Sequence, residues 1–161
     1  MGQHRGDLVL VNDGDLAYAK IRFDEQSLET ALAHVSKIDD PLARALVLAS
    51  LWDATRDAEL PAGDYTRHVL SDIAIETEST TRRQVLGQLS TAARRYASPA
   101  NRAETVRDVA TQMLQLAKGA EAGSDAQFAF VRSFAGFATT DEQLDAVAAL
   151  LDGSLQLDGL E

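Results

Sequence analysis

The residues best suited to metal or proton chemistry are three histidines, His4, His34 and His68, and no two of them share a helical turn. No HExxH occurs. His68 and Asp72 stand four apart, which on a helix puts both on one face. Together they offer two ligands, one short of the three that catalytic zinc takes from protein, so ordinary surface pairing is the expectation. The chain has no cysteine, hence no disulfide, no thiolate zinc site and no thiol nucleophile. GxSxG, Walker and dinucleotide glycine motifs are also missing. These residues lead us to expect no catalytic residue, no metal ligand and no cofactor in this chain.

Two groups of charges remain. Asp53, Arg56 and Asp57, with Glu59 beside them, fall at the end of a predicted helix, and Asp53 and Arg56 face each other across one turn. They read as a structural network that fixes that helix end against the next hairpin. Residues 82–107 carry Arg82, Arg83, Arg94, Arg95, Arg102 and Arg107 against Glu104 alone, a local charge of +5. The stretches on either side, 1–81 and 111–161, carry −8 and −6. A basic band between acidic ends could grip a carboxylate such as a peptide C-terminus. Arg82, Arg83, Arg94 and Arg95, on one predicted helix, are the candidate peptide contacts. Adjacent helical residues point about 100° apart, so at most two or three can share a face. Pairing with neighbouring acidic helices is the competing use.

The elements that would position these groups are mostly helices. Leu8-Val9-Leu10-Val11 reads as a short buried strand, Asn12-Asp13-Gly14-Asp15 as a turn, and Ala19 to Phe23 as a second strand. From Asp24 onward the apolar period is helical, with starts expected near residues 25, 41, 62, 80, 99, 124 and 141. Asp40-Pro41 and Ser98-Pro99 look like cap-plus-proline starts, and Ser124/Gln127 and Thr140/Gln143 like capping boxes. Alternate starts are 37, 37 and 42 residues apart, the spacing of HEAT or armadillo helical hairpins. The expected fold is all-α, an αα-superhelix of about seven helices with a short N-terminal β segment; a closed bundle is the alternative. Residues 1–23 would form a linker with an orphan strand and turn, and 24–161 the superhelical domain.

Composition agrees with helices and narrows the partners. The 161 residues include 27 Ala and 21 Leu against 10 Val and 4 Ile, a mixture that loses little side-chain entropy in helices. A net charge of −10 argues against nucleic acid and against anionic membranes as partners. No apolar run approaches a membrane span, and Met1 to Asp7 lacks the apolar stretch of a signal peptide. A cytoplasmic location is the expectation.

Three long segments carry a family resemblance: LVLVNDGDLAYAKIRFDE from Leu8, DPLARALVLASLWDATRDAELPAGDY from Asp40, and GSDAQFAFVRSFAGFATTDEQL from Gly123 with LLDG following it. They resemble the C-terminal helical region of bacterial aminopeptidase N, a family of gluzincin zinc metallopeptidases. The resemblance implies a longer parent with an N-terminal β domain, a thermolysin-like catalytic domain and often a β-sandwich. In that parent the helical domain caps the active-site chamber and helps admit peptides, whose N-terminal residues are hydrolysed with zinc. The family's HExxH and GxMEN motifs are not in this sequence, so no catalytic or zinc-binding residue carries over. The chain resembles the first part of that domain, with the catalytic and β-sandwich domains and the peptide as implied partners. The final predicted helix would present Leu144, Val147, Ala148 and Leu151 unless Leu155, Leu157 and Leu160 fold back over it. A homo-oligomer through that end is expected otherwise. An autonomous helical-repeat scaffold for a protein partner is the alternative function.

Overall fold

Most helices begin where a side chain can take up an amide proton left free by the first turn. The computed structural model describes residues 4–160; Met1–Gln3 of the expected linker and Glu161 of the expected helical domain lie outside the described residues. Helix α1 spans Glu25–His34, capped by Asp24, whose carboxylate accepts from the Ser27 amide at 3.0 Å. Helix α2, Pro41–Arg56, is capped by Asp40 with proline in the first turn. Helix α3 runs Ala62–Asp72 and α4 Ser79–Thr91. Helices α5, α6 and α7 cover Arg102–Gly119, Asp125–Phe137 and Asp141–Asp152. Thr140 and Gln143 form a complete capping box on α7, whereas the Gln127 side chain accepts from the Gly123 amide instead of the cap residue. Gly153 ends α7 with φ of 80°, the left-handed conformation that glycine adopts without strain.

Two expectations are corrected. Among the described residues there is no strand: the N-terminal segment contains one 3₁₀ turn, Asp13–Asp15, and is otherwise irregular. Leu8 and Leu10 are half-buried against the core while Val9 and Val11 are exposed, so the alternation of a strand is there. No second strand lies beside it, and the Val9 amide donates to the Ser27 hydroxyl at 3.1 Å. Ile21 is buried, but the Ile21–Phe23 stretch forms no strand pairing either among the described residues. The second correction concerns Ser98-Pro99, which is a turn. The Ser98 carbonyl accepts from the Asn101 and Arg102 amides, and α5 begins only at Arg102.

The core lies among the helices, around Tyr65, Leu51, Leu89, Met113, Phe130 and Phe134, each with essentially no exposed surface. Successive helices pack together, α5 against α6 most extensively, and alternate helices are neighbours too. α2 contacts α4 and α4 contacts α6, while α3 contacts α5. The His68 ring on α3 reaches the Leu32 carbonyl of α1, and Gln143 on α7 donates to the Arg107 carbonyl of α5. Helices α4 and α6 run in the same direction. Ser79 and Asp125, at their starts, line one groove, and Arg94 meets Gly136 at the other end. The last residues fold back: Leu157 packs on the core, and the Asp158 carbonyl accepts from Gln127 at 3.0 Å. There Gly159 lies so close to the Gly123 backbone that a Cβ would overlap it.

Candidate functional site

The four candidate arginines separate by helical geometry. Arg82 points inward from α4 and is buried, its guanidinium donating to the Glu76 carbonyl. Arg83, the next residue, turns outward into a groove between α4 and α6. After Thr91 the helix widens into a π turn, Ala92–Tyr96, closed by the Ala97 amide on the Ala92 carbonyl at 2.8 Å. Such insertions re-aim side chains and are frequent at functional sites. Here the turn carries Arg94 over the Phe137 ring, 4.8 Å from its centroid, and onto the Gly136 carbonyl. It also stacks Tyr96 on Trp52, with centroids 5.9 Å apart. Arg95 is exposed. Elsewhere in the basic band, Arg102 donates to the Ala97 carbonyl at 3.0 Å. Arg82, Arg94 and Arg102 therefore satisfy carbonyls where helices and loops meet, and of the four candidates Arg83 and Arg95 are the two left without a carbonyl partner among the described residues.

The groove encloses about 570 Å³. Gly87 and Ser90 of α4 and Ser133 and Gly136 of α6 keep it open, and a Cβ at either glycine would meet nothing within 4 Å. Arg132 lines it as well, its guanidinium 5.7 Å from the centroid of the Phe128 ring. Sequence reasoning missed this residue because it lies outside the basic band. Its spacing of four from Phe128 on a helix with capped start was the available signal. Among the described residues neither Arg83 nor Arg132 forms an ion pair. Asp125 is the one acid lining the groove.

The second charge group is rearranged. Arg56 pairs with Asp53 at 3.5 Å, one turn apart as expected. Asp57 instead turns to the N-terminal segment, holding Lys20 at 2.6 Å and Arg22, while Glu59 takes the other side of Arg22. The Lys20 contact keeps the Asp57 carboxyl below its ordinary range. This network therefore ties residues 20–22 to the end of α2.

A buried ion pair was not anticipated. Arg44 on α2 meets Glu76 through two bonds of 3.2 and 3.1 Å and also donates to the Ile38 carbonyl at 2.8 Å. Burial alone would push the Glu76 carboxyl up; the hydrogen bonds from Arg44 and the Glu78 amide outweigh it and hold the carboxyl below its usual value. His68 is likewise buried, against the expectation of a surface pair, with its Nδ1 3.0 Å from the Leu32 carbonyl and 3.3 Å from Asp72. Burial lowers its pKa, with Asp72 opposing, and its Nε2 has no partner. Among the described residues no three His, Cys, Asp or Glu side chains gather where they could hold a metal ion. The zinc implied by the resemblance belongs to the longer parent's catalytic domain, and among the described residues no helix is long and apolar enough to cross a membrane.

Comparison with known proteins covers nearly the whole chain. A family model described as the ERAP1-like C-terminal domain matches residues 8–160. Aminopeptidase N of Streptomyces lividans is 43% identical over 160 residues, covering 99% of this chain and 19% of that protein. The chain thus spans about a fifth of the length of its relative.

Proposed function

The chain belongs to the ERAP1-like C-terminal domain family, and from that premise we propose that it is a non-catalytic helical domain of a zinc-dependent aminopeptidase. The end-to-end match to aminopeptidase N carries this reading: 43% identity extends over 99% of the chain. In the longer protein the domain would cover the catalytic chamber, packing against the catalytic and β-sandwich domains. The neighbours α3 and α5, and α2, α4 and α6, with single side-chain bonds from α3 to α1 and from α7 to α5, support a reading as an αα-superhelix of paired helices, a surface that suits a chamber wall. Arg83 and Arg95, which the fold leaves facing outward, would meet the carboxylate of a peptide whose amino end lies at the zinc.

Two measurements test the proposal. The isolated chain should not hydrolyse an alanyl or leucyl arylamide, with or without added zinc; turnover would refute the non-catalytic reading. In a chimera, the chain would replace the matching region of the Streptomyces lividans enzyme. Arg83→Glu with Arg95→Glu should then lower kcat/KM for a peptide several-fold and leave an arylamide, which has no distant carboxylate, unchanged. Equal losses on both substrates would remove the peptide-contact role.

A further inference from the structure

We infer that the cavity between the start of α4, the end of α5 and the start of α6 binds a small zwitterion, a free α-amino acid with an apolar side chain. The cavity encloses about 650 Å³, and the charged residues lining it are Arg82, Glu121 and Asp125. Arg82 is 7% exposed, forms no ion pair among the described residues, and leaves its Nε without an acceptor. Its one bond goes to the Glu76 carbonyl. Taking a guanidinium out of water without a carboxylate is costly, so this charge still lacks its anion.

Two helix ends give the cavity its polarity. Helix α4 begins at Ser79, which lines the cavity with Arg82, and no side chain caps its first amides. That end carries partial positive charge. Helix α5 stops at Gly119, also on the lining, and no following backbone amide returns to its last turn. The Gln127 side chain alone reaches back, to the Ala117 carbonyl at 3.4 Å. The α5 end therefore carries partial negative charge. Glu121 and Asp125 follow it in the chain, both exposed and neither in an ion pair among the described residues. Asp125 also meets the positive end of α6, so Glu121 is the stronger anchor for a cation.

One ligand satisfies both halves. Its carboxylate would go to Arg82 and the α4 amides, and its ammonium to Glu121, Asp125 and the last carbonyls of α5. An anion alone would face two carboxylates, and a cation alone would leave Arg82 unpaired. Leu116, Ala126 and Phe130 supply apolar lining for a side chain. A peptidase of the kind proposed above releases such molecules, but the inference stands on the cavity, and its failure leaves that reading untouched.

As L-leucine is added to the chain, the amide resonances of Ser79, Thr80 and Ala120 should shift and saturate. N-acetyl-L-leucine lacks the ammonium and L-leucinamide lacks the carboxylate. Each should bind at least about tenfold more weakly, the loss expected for one charged hydrogen bond. Glu121→Gln with Asp125→Asn should abolish the preference for L-leucine over N-acetyl-L-leucine, and Arg82→Gln the preference over L-leucinamide. Where Arg82→Gln fails to fold, the acid pair decides alone, since both positions are exposed and circular dichroism should show unchanged helix content. The proposal is overturned if L-leucine gives no saturation, if the shifts lie elsewhere, or if either derivative binds as tightly as L-leucine. An acid-pair variant that keeps the full preference overturns it as well.

Discussion

Residues 4–24 and the helical body that follows are held by different forces. In the body, Tyr65, Leu51, Phe130 and Phe134 are removed from water, and Tyr65 adds a hydrogen bond to Gln88 at 2.9 Å. In the N-terminal segment only Ile21 is buried among the described residues, while Leu16 and Tyr18 stand fully in solvent. Side-chain hydrogen bonds shape that segment. The Asn12 amide both donates to and accepts from Ala17 at 2.8 Å, supporting a turn in which Asn12 and Asp15 take positive φ. Arg5 then ties its start to Asp24, the cap of α1, and Lys20 and Arg22 pin it to Asp57 of the body. Apolar burial gives stability in proportion to area, whereas exposed ion pairs contribute little and are screened by salt. One chain therefore carries a body that resists truncation of its polar surface and a segment that depends on it.

The largest expected effect follows from the body. Phe134→Ala removes a fully buried ring and should cost about 3–5 kcal/mol, seen as a large fall in the denaturation midpoint. Tyr18→Ala, an aromatic truncation of similar size in the segment, should stay within about 0.5 kcal/mol. Equal losses would abolish the distinction.

A polar interaction inside the body should behave like the core. Glu76→Ala leaves the Arg44 guanidinium buried without its carboxylate and should cost about 3 kcal/mol in thermal or urea unfolding. Asp57→Asn, in the exposed cluster, should leave the midpoint nearly unchanged. A silent Glu76→Ala would mean that water reaches the pair and that it belongs with the surface.

The same contrast explains what was legible in the sequence. Helix starts expected near 25, 41, 62 and 141 coincide with those found, and those near 80 and 124 are one residue off, because periodic apolar residues and caps are local signals. The start expected near 99 falls at Arg102, because Pro99 suits a turn as well as a first helical turn and the Ser98 carbonyl here closes a turn with the Asn101 amide. Leu8–Val11 has the apolar run of a strand, yet pairing needs a second edge that no local pattern reveals. The site was less legible than the fold. Arg82 and Arg83 are adjacent in sequence and opposite in fate, one buried on a carbonyl and one in the groove. The partnership of Arg44 with Glu76 spans 32 residues, beyond the reach of any spacing rule.

A smaller effect comes from His68, which links α1 to α3 from a buried position. Burial lowers its pKa from 6.5, so the folded chain resists a proton that the unfolded chain accepts. Stability from this group is intact above the unfolded value and falls as the pH drops below it. Thermal unfolding should show a modest decrease of Tm below pH 6.5 that His68→Gln flattens. A profile unchanged by the substitution would assign the decrease to other groups.

The smallest global effect should come from Asp24, where segment and body meet. Its carboxylate accepts from Arg5 and from the backbone and hydroxyl of Ser27, and these contacts, the Arg5 bond foremost, hold its pKa at about 2 against 3.8 unperturbed. A depressed carboxyl stabilises the folded form fully above 3.8 and loses that contribution as the pH falls toward about 2. Both side chains are about half exposed, so salt should weaken the interaction. Asp24→Asn at neutral pH should therefore barely move the unfolding midpoint. It should nevertheless speed hydrogen exchange at the Val9 and Ser27 amides, whose acceptors are the Ser27 hydroxyl and the Asp24 carboxylate. Amides in the middle of α5 should keep their protection, since opening the segment exposes no core residue there. If Asp24→Asn lowers the midpoint as far as Glu76→Ala does, the segment unfolds with the body as one cooperative unit, and its ion pairs carry more of the fold than their exposure implies.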